Sequence, residues 1–277
     1  MAGKKDKQAE TYQWISIHLP IKDNPQQIPD FSQLNVLGVA VLKAIRHSKK
    51  LQTGGLSANR FSLILNDFKG DKLQTDMRLK NIQQQGFPNY FGEQRFGHVL
   101  DNQYENLSKA TALFTKQIRP KRHQKTMYLS AARSWIFNQI LSARLDGNNW
   151  NIYQQGDIFQ LEGSQKWFVD DGSIALENRI NEHDIHPTGA LIGKGRLATK
   201  ADILAIEEQV VRQHPIWKKG LEAVGMKQER RALRVIPKRL TWSWQDEKTL
   251  QLSFELPAGS YATMLVREVL QASLLPS

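Results

Sequence analysis

The chain has 277 residues, and 38 Lys and Arg against 27 Asp and Glu give it a formal net charge of +11. Such an excess favours a polyanionic partner, either nucleic acid or an anionic membrane surface. The absence of Cys excludes disulfides, thiolate metal ligands and Cys nucleophiles. No apolar run approaches the roughly 18 residues of a membrane span, and the first residues do not read as a secretory leader. We therefore expect a soluble, cytoplasmic protein without a membrane partner.

The first segment of interest, residues 3–13, places the carboxylate of Asp6 among three lysines that include Lys5. Nearby ammonium groups favour the ionised form of an aspartate, which suits Asp6 to act as a base or a nucleophile. In the alternative interpretation, the segment is only a solvated basic terminus. Apolar residues alternate with polar ones over residues 13–19, which predicts a strand directly after the segment and favours a held loop.

Residues 53–65 predict a glycine turn that enters another strand. Because glycine lets the backbone turn where side chains could not, Asn59 and Phe61 are placed at the junction of loop and strand. Phe61 also begins an apolar alternation, and that pattern alone directs its ring toward the core. A helix is predicted next, over residues 71–85, with Asp71 as its N-cap.

Residues 86–97, Gly-Phe-Pro-Asn-Tyr-Phe-Gly-Glu-Gln-Arg-Phe-Gly, combine glycines, four aromatic residues and Arg95. This composition makes a poor continuous helix or strand and is typical of a packed loop with a functional surface. Arg95 could pair with a phosphate group or with Asp6. The aromatic rings could serve the same surface or only pack two parts of the protein together.

Three basic segments follow, in residues 116–125, 193–196 and 218–239. Their candidate RNA contacts are Lys121, Arg122, Lys194, Arg196, Arg230 and Arg231. Each run can instead be a solvated face of a helix or loop. Taken together they favour a surface that follows an RNA backbone and binds it with strong salt dependence.

Two long periodic stretches, residues 127–145 and 199–213, predict helices, with Arg133 and Asn138 as polar residues on or near a packing face of the first. His183 and His186 could be mistaken for metal ligands. Pro187 follows at once and no third ligand lies close by, so no metal site is predicted. Strands are predicted again over residues 242–256, followed by a helix over residues 263–270.

Five blocks of this sequence, in order, resemble those of the tRNA pseudouridine synthase D family. They are Gly-Lys-Lys-Asp-Lys-x-Ala-x-Thr at residues 3–11, Asn-x-Phe at residues 59–61, residues 86–97, residues 130–138 and residues 256–263. The resemblance implies an α+β fold, in which a mixed, largely antiparallel pseudouridine-synthase sheet with flanking helices is interrupted by an inserted α/β domain. The expected division is residues 1–85 and 235–277 for the catalytic domain and residues 86–234 for the insertion.

The resemblance also implies a function, the isomerisation of a uridine in tRNA, at position 13 of the D arm, to pseudouridine. In the family the matching aspartate is the nucleophile, which assigns that role to Asp6. The matching aromatic ring packs on the target base and the matching Asn contacts nearby groups, which assigns substrate binding to Phe61 and Asn59. Lys5 and Arg95 complete the expected substrate site. No cofactor is implied, the partner is tRNA, and we expect a monomer.

One departure leaves an alternative open. Members of the family carry several dozen residues ahead of the catalytic aspartate, whereas Asp6 lies near the start of this sequence. We therefore expect an N-terminally incomplete catalytic domain. The chain is either an active synthase or a basic tRNA-binding remnant without catalysis. A third and weaker interpretation is a ribosome-associated basic protein that carries out no nucleobase chemistry.

Overall fold

A computed structural model describes residues 9–19, 30–31, 34, 36–52, 55–100, 102–173 and 175–270. The chain divides into two compact units, Met1–Ser57 and Ala58–Ser277. None of the helices in these described ranges is both long and apolar enough to cross a membrane.

The N-terminal unit contains no α-helix and no β-strand among its described residues. The strand predicted over residues 13–19 is therefore not observed. Ile15 and Ile17, which carry the alternation, are 59% and 60% exposed. Alternation predicts which side of a strand would be buried, but a strand also needs a partner for its backbone groups. The backbone N–H of Leu51 donates to the Ser16 hydroxyl over 3.2 Å, which is a side-chain contact and does not replace a strand ladder.

The second unit contains helices and antiparallel ladders, which confirms the predicted α+β class. Its strands are β1 (Ala58–Leu65), β2 (Phe87–Pro88), β3 (Val99–Leu100), β4 (Gln103–Tyr104), β5 (Ile158–Leu161), β6 (Trp167–Val169), β7 (Ile185–Leu191), β8 (Glu229–Ala232), β9 (Arg234–Val235), β10 (Lys238–Trp244) and β11 (Leu250–Pro257). Its α-helices are α1 (Lys72–Gln85), α2 (Glu105–Phe114), α3 (Arg122–Asp146), α4 (Ala175–Asn181), α5 (Ala201–Arg212), α6 (Pro215–Ala223) and α7 (Ala262–Leu270).

A three-stranded sheet in the order β1-β11-β10 forms the first core. Strand β11 alternates buried and half-buried residues, because its apolar side chains occupy every second position. Its buried face packs against α1 and α7 in one hydrophobic cluster. Helix α1 begins where the sequence predicts, since Asp71 accepts hydrogen bonds from the backbone N–H groups of Leu73 and Gln74.

A four-stranded sheet in the order β6-β5-β7-β8 lies between these strands in sequence. Helix α3 packs on β7 and α5, and its residues Ile136 and Ile140 are fully buried. Arg144 of α3 forms a buried ion pair with Asp157, the residue directly before β5, with 2.7 Å between Nη1 and Oδ1. Both Arg144 amino groups donate to the same carboxylate, so this bidentate pair fixes the position of the helix end relative to Asp157.

The short ladder of β2 with β9 lies where the chain passes between the two sheets in each direction. Phe87 pairs with Val235 and Pro88 with Arg234. The two crossings coincide with the predicted limits of an insertion over residues 86–234. Residues 58–277 nevertheless form one compact unit, so the division into domains stays a prediction.

Candidate active site

Asn59 and Phe61 lie near the start of β1, on the face of the sheet that covers the core. Asn59 is opposite Leu256 and Phe61 is opposite Phe254, and paired residues of an antiparallel ladder share a face. The ring of Phe61 stacks on the fully buried ring of Phe254, with centroids 5.4 Å apart and an angle of 27° between the planes. Phe61 itself is only half-buried. Its ring therefore packs on the core and also leaves area for contact with another planar group.

The turn that follows β11 brings a second group of residues to the same end of the sheet. Pro257, the last residue of β11, pairs with Ala58 at the beginning of β1. Tyr261 follows in the turn, where its ring lies 6.2 Å from that of Phe91. A Cβ added to Gly92 would lie 2.9 Å from the Tyr261 ring, so this approach requires a glycine at position 92.

Arg95 ends a short 3₁₀ helix, Glu93–Arg95, and points back toward this turn. Its Nε donates to the hydroxyl of Tyr261 over 3.1 Å, and its Nη1 donates to the Ser130 hydroxyl over 3.1 Å. The guanidinium carbon lies 5.5 Å from the centroid of the Phe91 ring. Arg95 is thus oriented by neutral groups and by an aromatic ring.

Arg231 of β8 approaches the same ring. Its guanidinium carbon lies 4.1 Å from the Phe91 centroid. Its Nη2 donates to Asn89 Oδ1 over 2.5 Å and to the Gly259 carbonyl over 3.0 Å, while its Nε donates to the Asn89 carbonyl over 3.2 Å. The pKa of Arg231 is lowered to about 10, chiefly by burial; Tyr261 opposes the change and the neighbouring Arg95 cation adds to it. The side chain remains charged at neutral pH.

Two predicted site residues, Arg95 and Arg231, are therefore brought together, although they are far apart in sequence. We refer to Asn89, Phe91, Arg95, Arg231 and Tyr261 as the arginine–aromatic cluster. The sequence indicated Arg95 and Arg231 separately. It gave no sign that Asn89 or Tyr261 would orient them, because these contacts depend on the register of β8 and on the turn after β11.

The helix α3 positions the cluster through Asn138. The Asn138 side chain accepts from the Phe91 backbone N–H over 2.9 Å and donates to the Phe91 carbonyl over 3.0 Å. Arg133, the other polar residue predicted on this helix, donates to Glu229 and to the carbonyls of Leu191 and Lys227. Both side chains therefore fix neighbouring backbone, which explains why polar residues occur on a packing face.

Arg230 requires a correction. The basic segment 218–239 predicts it as an RNA contact, but its side chain is 2% exposed and lies 2.8 Å from Glu207, which is itself 1% exposed. Its Nε and Nη2 donate to the hydroxyl and the carbonyl of Thr188. Alternation along β8 turns Arg230 inward, since the strand follows the pattern exposed, buried, half-buried, half-buried. Arg230 cannot reach an RNA phosphate without leaving the core.

The remaining predicted RNA contacts are all exposed: Lys121, Arg122, Lys194 and Arg196. Lys121 and Arg122 lie at the start of α3, where the Lys121 backbone N–H donates to the side chain of Gln124 over 3.1 Å. Their contact with RNA stays a prediction. The predicted catalytic residue Asp6 and its neighbour Lys5 lie outside the described residues, so the structure places neither of them.

His186, one of the two histidines that could be mistaken for metal ligands, is part of the fold. His186 is buried, its Nδ1 accepts from Arg234 over 2.9 Å, and its Nε2 contacts Glu162 over 2.9 Å. Both ring nitrogens are therefore used in contacts within the fold. Within the residues that the structure describes, no three His, Asp or Glu side chains are grouped to hold a metal ion.

Comparison with known proteins extends the five-block resemblance over nearly the whole chain. The sequence model of the family described as tRNA pseudouridine synthase D (TruD) matches residues 1–106 and 105–269. A curated relative of that name from Hydrogenovibrio crunogenus is 56% identical over 275 residues, covering 99% of this chain and 77% of the relative. Another, from Pseudoalteromonas atlantica, is 40% identical and covers 97% of this chain and 76% of the relative.

A solved structure supports the fold independently. The crystal structure titled as a tRNA pseudouridine synthase D from Methanosarcina mazei matches with a TM-score of 0.59 at 19% identity, covering 82% of this chain and 72% of that chain. The expected family is thus confirmed by sequence over both units and by fold. This chain belongs to the tRNA pseudouridine synthase D family.

Proposed function

We propose that this chain converts a uridine in tRNA to pseudouridine. The family and its curated relatives, which are named for this activity, support the proposal. One structural observation carries it: a half-buried Phe61 ring, seated on Phe254, lies at the end of the sheet where the turn carrying Tyr261 begins. A planar base and an RNA backbone could thus be bound on the same side of the unit.

The reaction assigns a separate task to each type of group. The N–C glycosidic bond of uridine breaks, the uracil turns, and a C–C bond forms to the same ribose carbon, so substrate and product contain the same atoms. A carboxylate is needed to attack the nucleoside or to assist the opening of the glycosidic bond. We assign this role to Asp6. A ring that stacks on the detached base keeps it close to the ribose, and we assign that role to Phe61, with Asn59 as a neighbouring polar contact.

The target nucleotide must also leave its stack before the chemistry can occur. Extrusion of a base costs a few kcal/mol. Contacts between basic side chains and phosphates can offset this cost, and the net charge of +11 supplies them in excess. Lys5 and Arg95 are assigned to the substrate site, and Lys121, Arg122, Lys194, Arg196 and Arg231 to the RNA backbone. We propose uridine 13 of the D arm as the target, and a cytoplasmic monomer as the acting form.

Tritium release tests the proposal. The whole chain is incubated with tRNA that carries uridine tritiated at C5, because formation of the new C–C bond displaces that hydrogen. The wild-type chain should release tritium, and D6N should not, while retaining tRNA binding. The matched control is D67N, which changes an exposed aspartate in the loop after β1 and should behave as wild type.

Two outcomes would overturn the proposal in different ways. A wild-type chain that binds tRNA but releases no tritium would show that it is a binding protein without catalysis. A D6N chain that is as active as wild type would leave the reaction in place and remove Asp6 from it.

A further inference from the structure

We propose that Arg95 and Arg231 together bind a backbone phosphate of the RNA at the turn after β11. This inference rests on the proposed function, since it takes RNA as the substrate. It differs from a general basic surface because it assigns the anion to a built site with two oriented guanidinium groups.

The first argument is the charge balance of the cluster. Three of the four buried arginines among the described residues, Arg133, Arg144 and Arg230, each contact a carboxylate. Among the described residues neither Arg95 nor Arg231 has an acidic group within ion-pair distance. Their acceptors are hydroxyls, a carboxamide and backbone carbonyls, none of which carries a net charge. The two positive charges are therefore oriented but not neutralised.

The second argument is the cost of placing two like charges together. Both guanidinium groups lie within 5.5 Å of the centroid of one ring. An aromatic ring attracts a cation without cancelling its charge, so the ring holds the two groups while their mutual repulsion persists. The same repulsion contributes to the lowered pKa of Arg231. A bound anion would remove this repulsion, which makes the cluster a site that favours occupation.

The third argument is the chemistry that fits two guanidinium groups. Within the described residues, Nη2 of Arg95 and Nη1 of Arg231 make no hydrogen bond, so each group retains a free donor. Planar guanidinium groups match the oxygens of a phosphate with two parallel hydrogen bonds. Gly259 is exposed, and Arg95, Arg231 and Tyr261 are half-buried, so a phosphate on an RNA strand can reach the cluster from solvent.

Binding of tRNA across a salt series tests the site with the whole chain. Each charge that contacts a phosphate contributes about one counterion to the salt dependence. We expect R95Q and R231Q each to weaken tRNA binding about 10-fold at low salt and to lower the slope of log Kd against log salt by about one. The double variant R95Q/R231Q should lower the slope by about two.

Arg179 provides the matched control. Its guanidinium carbon lies 5.4 Å from the Phe168 ring, as in the cluster, but Asp184 contacts its Nε over 2.6 Å. Its charge is therefore already balanced, and R179Q should leave both the affinity and the salt slope unchanged. A slope lowered equally in R179Q would refute the proposal, because it would show a general effect of net charge.

Other outcomes also decide the matter. If R95Q and R231Q keep the wild-type salt slope but lose turnover, the arginines pair with a carboxylate of the chain and not with a phosphate. If R231Q does not fold, R231K is tested instead. This variant keeps the charge but loses the paired donors, so it should bind tRNA more weakly with an unchanged salt slope. Wild-type affinity for tRNA in R231K would refute the site. A lowered slope in a chain whose wild type releases no tritium would retain the phosphate site and reject the proposed function.

Discussion

Replacing Arg230 with methionine tests whether this guanidinium supports the fold or contacts RNA. The side chains of Arg230 and Glu207 are 2% and 1% exposed and form an ion pair 2.8 Å long. The variant R230M removes the cation and leaves the carboxylate in the interior. The Glu207 carboxylate then accepts hydrogen bonds only from the backbone N–H of Ala190 and the hydroxyl of Thr199. The carboxylate then keeps its cost of burial without its counter-charge.

The expected loss of stability is large. Removing one partner of a buried ion pair costs about 3–5 kcal/mol. In a protein of this size, each kcal/mol lowers the melting temperature by about 2–4 °C. R230M should therefore melt about 6–20 °C below wild type in a thermal unfolding experiment followed by circular dichroism.

A second substitution makes the test sharper. In R230M, the change E207Q removes the uncompensated charge but retains an oxygen that can accept from Ala190, so it should raise the melting temperature. In the wild-type background, E207Q leaves Arg230 without its counter-charge and should lower the melting temperature. This reversal of sign is the signature of a coupled pair. The reasoning is refuted if the two losses add, or if R230M melts like wild type and binds tRNA weakly.

Two further variants test other parts of the fold. Hydrogen bonds from His186 and Lys238 hold the pKa of Glu162 at about 2, well below the usual range of a glutamate. Because the group is partly exposed, E162Q should cost only about 1 kcal/mol at pH 7. A carboxylate whose pKa is lower in the folded state stabilises the protein above its unfolded-state pKa, and this stabilisation is lost as the pH falls toward its folded-state pKa. In urea unfolding, the difference in stability between E162Q and wild type should therefore vanish between about pH 4.5 and 2. A difference that stays constant over this range would contradict the ion pair. Gly86 has φ +78°, and a Cβ there would lie 2.5 Å from the Val235 carbonyl oxygen. G86A should therefore lower the free energy of unfolding by about 2–4 kcal/mol in the same assay. An unchanged unfolding midpoint would refute the close approach.

Elements with a strong period were predictable because burial on one side is itself periodic. The alternation of β11 and the Asp71 cap of α1 both appear where the sequence indicated. The segment 13–19 shows the limit of this reasoning. Its alternation is as regular, yet its apolar side chains are exposed and no strand is present there. Periodicity states which face a strand would bury, and it does not supply the neighbouring strand that the backbone requires.

The same limit explains why the sequence alone does not distinguish the buried Arg230 from Arg231. Adjacent residues of a strand point to opposite faces, so one of the two had to lie inside if residues 229–232 formed a covered strand. A signal for the correct choice exists in α5, where Glu207 follows Ile203 by one helical turn on the buried face. A buried carboxylate needs a cation, but only the register of β8 against β7, which pairs Ala190 with Arg230, shows which cation it is.

The sequence allows two interpretations of the aromatic residues in the segment 86–97, packing or function, and Phe91 shows that these do not exclude each other. Its backbone is held by Asn138, and its ring makes a T-shaped contact with Phe137 in the core. The ring also orients Arg95 and Arg231. A ring that is fixed by packing can hold two cations in place at little further entropic cost, whereas a mobile ring could not. The packing of Phe91 is therefore what makes a charged site possible there, and three distant segments, from the loop, α3 and β8, converge on it for that reason.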